Sequence, residues 1–108
     1  MEWMQAAVFK GPGQMEIETL PAPQCPDPGV LIRVRFCGIC GSDVRNFSNG
    51  LKDGVINQIM GHEAVGEIVQ VKGGLPWKAG ARVALAPDIH CGTCWYCQKG
   101  LVNLCENH

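Results

Sequence analysis

The chain has 108 residues, nine Lys and Arg against ten Asp and Glu, a net charge of −1 and 46% hydrophobic residues. That suits a single domain with a modest core, and no basic run or stripe suggests a nucleic-acid or membrane surface. No apolar run is long enough to span a bilayer, and the opening MEWMQAAVFK has no apolar signal region, so a cytoplasmic location is expected.

Glycine (14) and proline (7) are spread along the chain and cut it into short segments. Ala6 to Phe9 and Met15 to Leu20 flank Gly11-Pro12-Gly13 and predict a hairpin. Pro21 to Gly29 holds four prolines and reads as an extended surface connector. In Val30 to Ile39, Leu31, Arg33 and Arg35 alternate with Val30, Ile32, Val34 and Phe36, the pattern of a half-buried strand. Gly41-Ser42-Asp43 predicts entry into a short helix, with Ser42 or Asp43 as N-cap. His62 to Val71 and Arg82 to Pro87 are further β-rich runs. The expected fold is mainly β, a small barrel or folded-over sheet with one short helix. There is no alternation of strand with helix and no G-x-G-x-x-G, so no dinucleotide-binding unit is expected in these residues.

Seven cysteines in a cytoplasmic chain point to metal ligands or reactive thiols rather than disulfides. Four follow C-x2-C-x2-C-x7-C: Cys91, Cys94, Cys97 and Cys105. Two-residue gaps let successive sulfurs face one centre, and Gly92 and Gly100 supply tight turns. Four thiolates complete a tetrahedral shell, so a zinc held there has no open position and is structural. An iron–sulfur cluster or a redox Cys-x-x-Cys uses the same ligands but fits one compact lobe less well. Lys99 alone does not make the lobe a nucleic-acid-binding ribbon.

A second set is quieter. Cys40 in FCGICGSD, and His62 with Glu63 in GHE, offer a sulfur, a nitrogen and an oxygen, the mixed set that a catalytic zinc with an open position requires. Taken singly, each is more often an ordinary polar residue.

Together these pieces resemble the medium-chain zinc-containing alcohol and polyol dehydrogenases. The matching motifs are Cys37 to Asp43 (C-G-I-C-G-S-D), Gly61 to Gly66 (G-H-E-x-x-G), Gly80 to Val83 (G-x-R-V) and the four-cysteine lobe, in the family's order and across nearly the whole chain. The resemblance implies a β-barrel like the co-chaperonin GroES fold, forming the N-terminal catalytic domain over 1–108, with the structural zinc lobe at about 88–108. It implies Cys40 and His62 as ligands of a catalytic zinc, with Glu63 as a ligand that exchanges with water in some members. Ser42 matches the hydroxyl that takes the alcohol's proton, and Asp43 the carboxylate that orients the histidine. Cys91, Cys94, Cys97 and Cys105 match the structural zinc ligands.

The implied activity is oxidation of a small alcohol, polyol or sugar to a carbonyl by hydride transfer to NAD(P), with no nucleic-acid or membrane partner and a homo-oligomeric parent. The family's dinucleotide-binding domain falls outside these residues, so the expectation is a catalytic-domain fragment, inactive alone; the alternative is a stand-alone zinc-stabilised barrel acting as a binding or structural module. Where many members carry a histidine three residues after the Ser/Thr, this chain has Arg45, a permanent cation and a poor base. His108 is a stray candidate ligand, Cys37 reads as a small buried strand residue, Cys25 as a free thiol, and Trp77 and Trp95 as packing residues.

Overall fold

A computed structural model describes residues 2–87 and 89–107. His108 lies outside them. Six strands and two α-helices follow in the order β1 (Trp3–Gly11), β2 (Gln14–Pro21), β3 (Gly29–Gly38), α1 (Gly41–Asn49), β4 (Gln58–Ile59), β5 (Glu63–Lys72), β6 (Arg82–Ala84) and α2 (Trp95–Gln98), with 3-10 turns at Lys52–Gly54 and Val102–Leu104. The mainly β expectation is borne out. The ladders form two three-stranded antiparallel sheets, β2-β1-β4 and β3-β5-β6, and no ladder joins them into a closed ring among the described residues.

The hairpin forms where the Gly-Pro-Gly turn predicts it. Gly13 takes a left-handed φ of 73°, which glycine adopts without a Cβ clash, and its N–H donates to Phe47 O of α1 at 2.6 Å, docking the turn on the helix. In β1, Val8 and Phe9 are both buried although they point to opposite faces of the strand, so the centre of this sheet is covered on both sides. The buried apolar side chains are Val8, Phe9, Cys25, Ile68 and Cys105.

The alternation predicted for β3 is not what the fold uses. Gly29 to Ile32 are all half-buried and Arg33 to Gly38 all exposed, with Val34 at 55% and Phe36 at 76% exposure. The ladder to β5 shifts register between Val34 and Phe36, and no described element lies over that half of the strand. Trp77 and Trp95 are likewise exposed rather than packed in the core; Trp95 instead stacks edge-on with Tyr96, 5.2 Å between ring centroids, under the Lys99 ammonium. The strand expected over Arg82 to Pro87 is shorter and ends at Ala84.

Of the two isolated cysteines, Cys25 is the free thiol expected, though buried, while Cys37 is exposed rather than buried. Cys25, in the proline-rich connector, is buried, and its Sγ lies 3.4, 3.6 and 3.8 Å from the carbonyls of Pro26, Gly29 and Gln70, pinning the connector against β5. Cys37 is exposed at the end of β3.

Candidate metal centres

The four-cysteine lobe is built almost entirely from local chain geometry. Cys94 caps α2, and the sulfurs collect backbone N–H donors: Cys94 N to Cys91 Sγ at 3.3 Å, Cys97 N to Cys94 Sγ at 3.5 Å, Cys91 N to Cys105 Sγ at 3.3 Å and Asn107 N to Cys105 Sγ at 3.3 Å. Each donor favours a thiolate and fixes its direction, as amides around a metal-bound sulfur do. Gly92 and Gly100 take left-handed φ values of 78° and 79°, the turns their positions predict. All four sulfurs lie within 4.8 Å of one another. A tetrahedral site with Zn–S near 2.3 Å puts sulfurs roughly 3.8 Å apart, so the set fits one ion with modest contraction.

The thiols differ in ionisation. Cys91 is lowered to about 5, first by the Thr93 hydroxyl and then by surrounding amides. Cys94 is lowered chiefly by the Glu106 backbone. Cys97 is pushed up to about 12 by burial.

The second centre is assembled by strand pairing. The β3–β5 ladder sets Gly38 opposite Glu63. Cys40 lies two residues past Gly38 and His62 one residue before Glu63, so this register brings together side chains distant in sequence. The ligand atoms of Cys40, His62 and Glu63 lie within 4.8 Å of one another. Cys40 and His62 are half-buried and Glu63 is exposed, which leaves the cluster open to solvent.

Three glycines hold this arrangement. A Cβ on Gly38 would meet Glu63 Oε2 at 2.6 Å, so the missing side chain is the space that the carboxylate occupies. A Cβ on Gly66 would meet Arg33 O at 2.1 Å, at the point where the β3–β5 register shifts. Gly61, with a left-handed φ of 110°, has Cys37 Sγ where its Cβ would stand, at 2.8 Å. These roles were not read from the sequence, although the glycines of G-H-E-x-x-G carried the signal.

Asp43 connects the Cys40 and His62 segments. Its Oδ2 accepts from Cys40 N at 3.0 Å, and its Oδ1 lies 3.4 Å from His62 Nδ1. The first of these is a helix-capping contact: Cys40, not Ser42 or Asp43, is the N-cap of α1, and Asp43 closes the cap from the third helical position. Ser42 sits in the first turn, and its hydroxyl hydrogen-bonds the Cys40 thiol, the largest influence lowering that thiol's pKa. His62 is raised, first by its hydrogen bond with Cys40 and, against some burial, by the Asp43 charge. Two surface grooves lie elsewhere: one of about 440 Å³ beside Phe36, Val65 and Val83, one of about 520 Å³ beside Cys25 and Gln70.

Residues 26–108 match the model of the alcohol dehydrogenase GroES-like domain. The chain belongs to this family. The GroES-like domain is 42% identical to the sorbitol dehydrogenase of Bacillus subtilis (strain 168), over 96% of this chain and 31% of that protein. It is 38% identical to the D-altritol 5-dehydrogenase of Agrobacterium fabrum, over 95% of this chain and 31% of that protein. It superposes on the cobalt- and zinc-bound thermostable alcohol dehydrogenase from Pyrobaculum aerophilum with a TM-score of 0.86 at 27% identity, covering 97% of this chain and 33% of that one. The domain thus spans about a third of the length of the curated relatives it matches. None of its described helices is long and apolar enough to cross a membrane.

Proposed function

We propose that residues 1–108 are the catalytic domain of a zinc-dependent, NAD(P)-linked dehydrogenase that oxidises a small alcohol or polyol to a carbonyl, with Cys91, Cys94, Cys97 and Cys105 holding a structural zinc in a lobe at about 88–108. The observation that carries the reading is the open cluster of Cys40, His62 and Glu63, whose mixed donors converge within 4.8 Å while Asp43 ties two of them together. The sorbitol and D-altritol dehydrogenases among the relatives support a polyol as substrate. A reducing cytoplasm suits a chain whose thiols serve as ligands.

A zinc held by this trio supplies Lewis-acid polarisation of the substrate hydroxyl. The residues supply the remainder. Cys40 is readied as a thiolate by the Ser42 hydroxyl. Asp43 lies beside His62 Nδ1, the kind of contact that fixes a ligand imidazole and leaves Nε2 to serve as the donor. Ser42, in contact with Cys40, is placed to accept the proton that the alcohol loses and pass it to solvent. Glu63, the exposed member, is the ligand able to give way to substrate. Hydride transfer belongs to the nicotinamide.

The test is zinc content per chain. The two clusters predict two ions in the wild type and one in Cys40→Ser/His62→Ala. A single ion in both would remove the catalytic assignment.

A further inference from the structure

We infer that Lys10 and Asn57 are positioning residues for the open metal centre: through them the β1–β2 hairpin sets where His62 stands relative to Cys40. The inference rests on the catalytic reading above for what the centre does, and on the hairpin's contacts with the two ligand-bearing segments for how it is held.

His62 is carried by the stretch that leaves α1. Lys52 to Ile59 are all exposed, so burial does not fix this stretch, and its place depends on hydrogen bonds. Its strand, β4, is two residues long and pairs with the hairpin, Gln58 opposite Phe9 and Ile59 opposite Val8. Asn57 makes the junction. Its N–H donates to Phe9 O at 2.7 Å, and its Oδ1 accepts from Lys10 Nζ at 2.9 Å. The same ammonium pairs with Glu18 on β2, so Lys10 ties both strands of the hairpin to Asn57. Among the described residues, Lys10 is the only lysine with a hydrogen bond or ion pair to another side chain. Asn57 holds a left-handed φ of 59°, which Asn adopts more readily than most residues with a Cβ. That bend turns the chain into β4, and His62 follows three residues past Ile59.

The tip of the hairpin holds the other ligand segment. Gly13 N–H donates to Phe47 O in α1, and Pro12 Cγ lies 3.4 Å from where a Cβ on Gly50 would stand, just past the end of that helix. Cys40 is the N-cap of α1. One hairpin thus bears on both segments that supply ligands, at points away from the ligands themselves. Val8 and Phe9, the buried centre of β1, give it a fixed base.

The full chain is tested with zinc in the lobe and cobalt(II) in the Cys40 cluster, following metal affinity by chelator competition and the ligand-field bands of the cobalt. Lys10→Met and Asn57→Gly, which keeps the left-handed φ, remove the same bond. Each should weaken metal binding at the Cys40 cluster about threefold, the low end for residues that touch no ligand, because the bond is exposed. The double variant should lose no more than either alone. Asn57→Val also strains the backbone and should lose about tenfold with shifted bands. Asn57→Asp keeps the acceptor and should retain wild-type affinity and bands, and lobe affinity should stay constant throughout. Unchanged affinity and bands in Lys10→Met and Asn57→Gly, or equal losses at both clusters, overturns the inference. The His62 ring signals, followed by NMR in the metal-free chain, separate the two readings. One metal per wild-type chain, with His62 signals that move in Lys10→Met, sinks the catalytic assignment alone. Two metals, with a Cys40 cluster indifferent to every variant, sinks the positioning role alone.

Discussion

The two clusters solve the same problem, gathering donor atoms around one point, by different means. The four-cysteine lobe draws all its ligands from fifteen consecutive residues, uses one donor type and orients it with neighbouring amides. The Cys40–His62–Glu63 cluster draws three donor types from two segments that only the β3–β5 ladder brings together. The first is complete once its turns form. The second exists only while a sheet register holds, and it stays exposed. A brace suits the first construction, and a site that exchanges ligands with substrate suits the second.

The largest expected effect comes from Cys97→Ser. Removing one of four thiolates leaves the tetrahedral shell incomplete and weakens metal binding at the lobe. One zinc per chain should be lost, with the sulfurs of Cys91, Cys94 and Cys105 becoming open to thiol reagents, while the zinc lost in Cys40→Ser/His62→Ala is retained. An unchanged metal count and unchanged melting would refute the structural role.

Next is Gly66→Ala, which breaks the other cluster without touching a ligand. A Cβ cannot stand 2.1 Å from Arg33 O, so the β3–β5 pairing has to shift. The cost should be about 3–5 kcal/mol in denaturant unfolding, with loss of zinc from the Cys40 cluster and retention in the lobe. Loss of both ions together would show the two clusters to be one cooperative unit.

Asp43→Asn should act more mildly. It keeps the shape but removes the charge beside His62 Nδ1 and weakens the cap on Cys40. Zinc affinity at the Cys40 cluster should fall about 10- to 100-fold, measured by competition with a chelator, with lobe affinity unchanged.

The lobe's ionisation gives a pH test on the metal-free chain. The Cys91 pKa is depressed to about 5, so its thiolate is present at neutral pH and is lost as pH falls through about 5. The Cys97 pKa is raised to about 12, so its thiol keeps its proton until the pH approaches that value. Alkylation mapped by mass spectrometry should therefore label Cys91 at neutral pH and spare Cys97. Equal labelling would contradict the hydrogen-bond pattern around the sulfurs.

The smallest effect should come from Arg35→Ala. Its ion pair with Glu67, which joins β3 to β5, is solvent-exposed, and such pairs contribute about 0–1 kcal/mol. A cost well above that would mean that the register near Gly66 depends on this pair more than on the glycine.

The lobe's geometry was legible because its information is local: spacing and two glycines suffice to bring the four sulfurs together. The hairpin, β3, β5 and the start of α1 were legible for the same reason, each carrying its turn residues beside it. Cys40, His62 and Glu63 stood out by donor type, but only the resemblance joined them into one set, since nothing local says that positions 40 and 62 meet. The misread residues depended on their surroundings. Cys37 is exposed because β3 ends uncovered, and Val34 and Phe36 lie open although their alternation matches a buried face.

By itself, then, the sequence determined the four-cysteine spacing and the mainly β composition, because turn propensity and ligand spacing act over a few residues. Tertiary structure decided the rest. The β3–β5 register placed Gly38 opposite Glu63, and with it Cys40 beside His62. Asp43 became both the cap of α1 and the partner of His62. These are contacts between segments far apart in the chain, and their geometry is set by backbone pairing, which no single stretch of residues specifies.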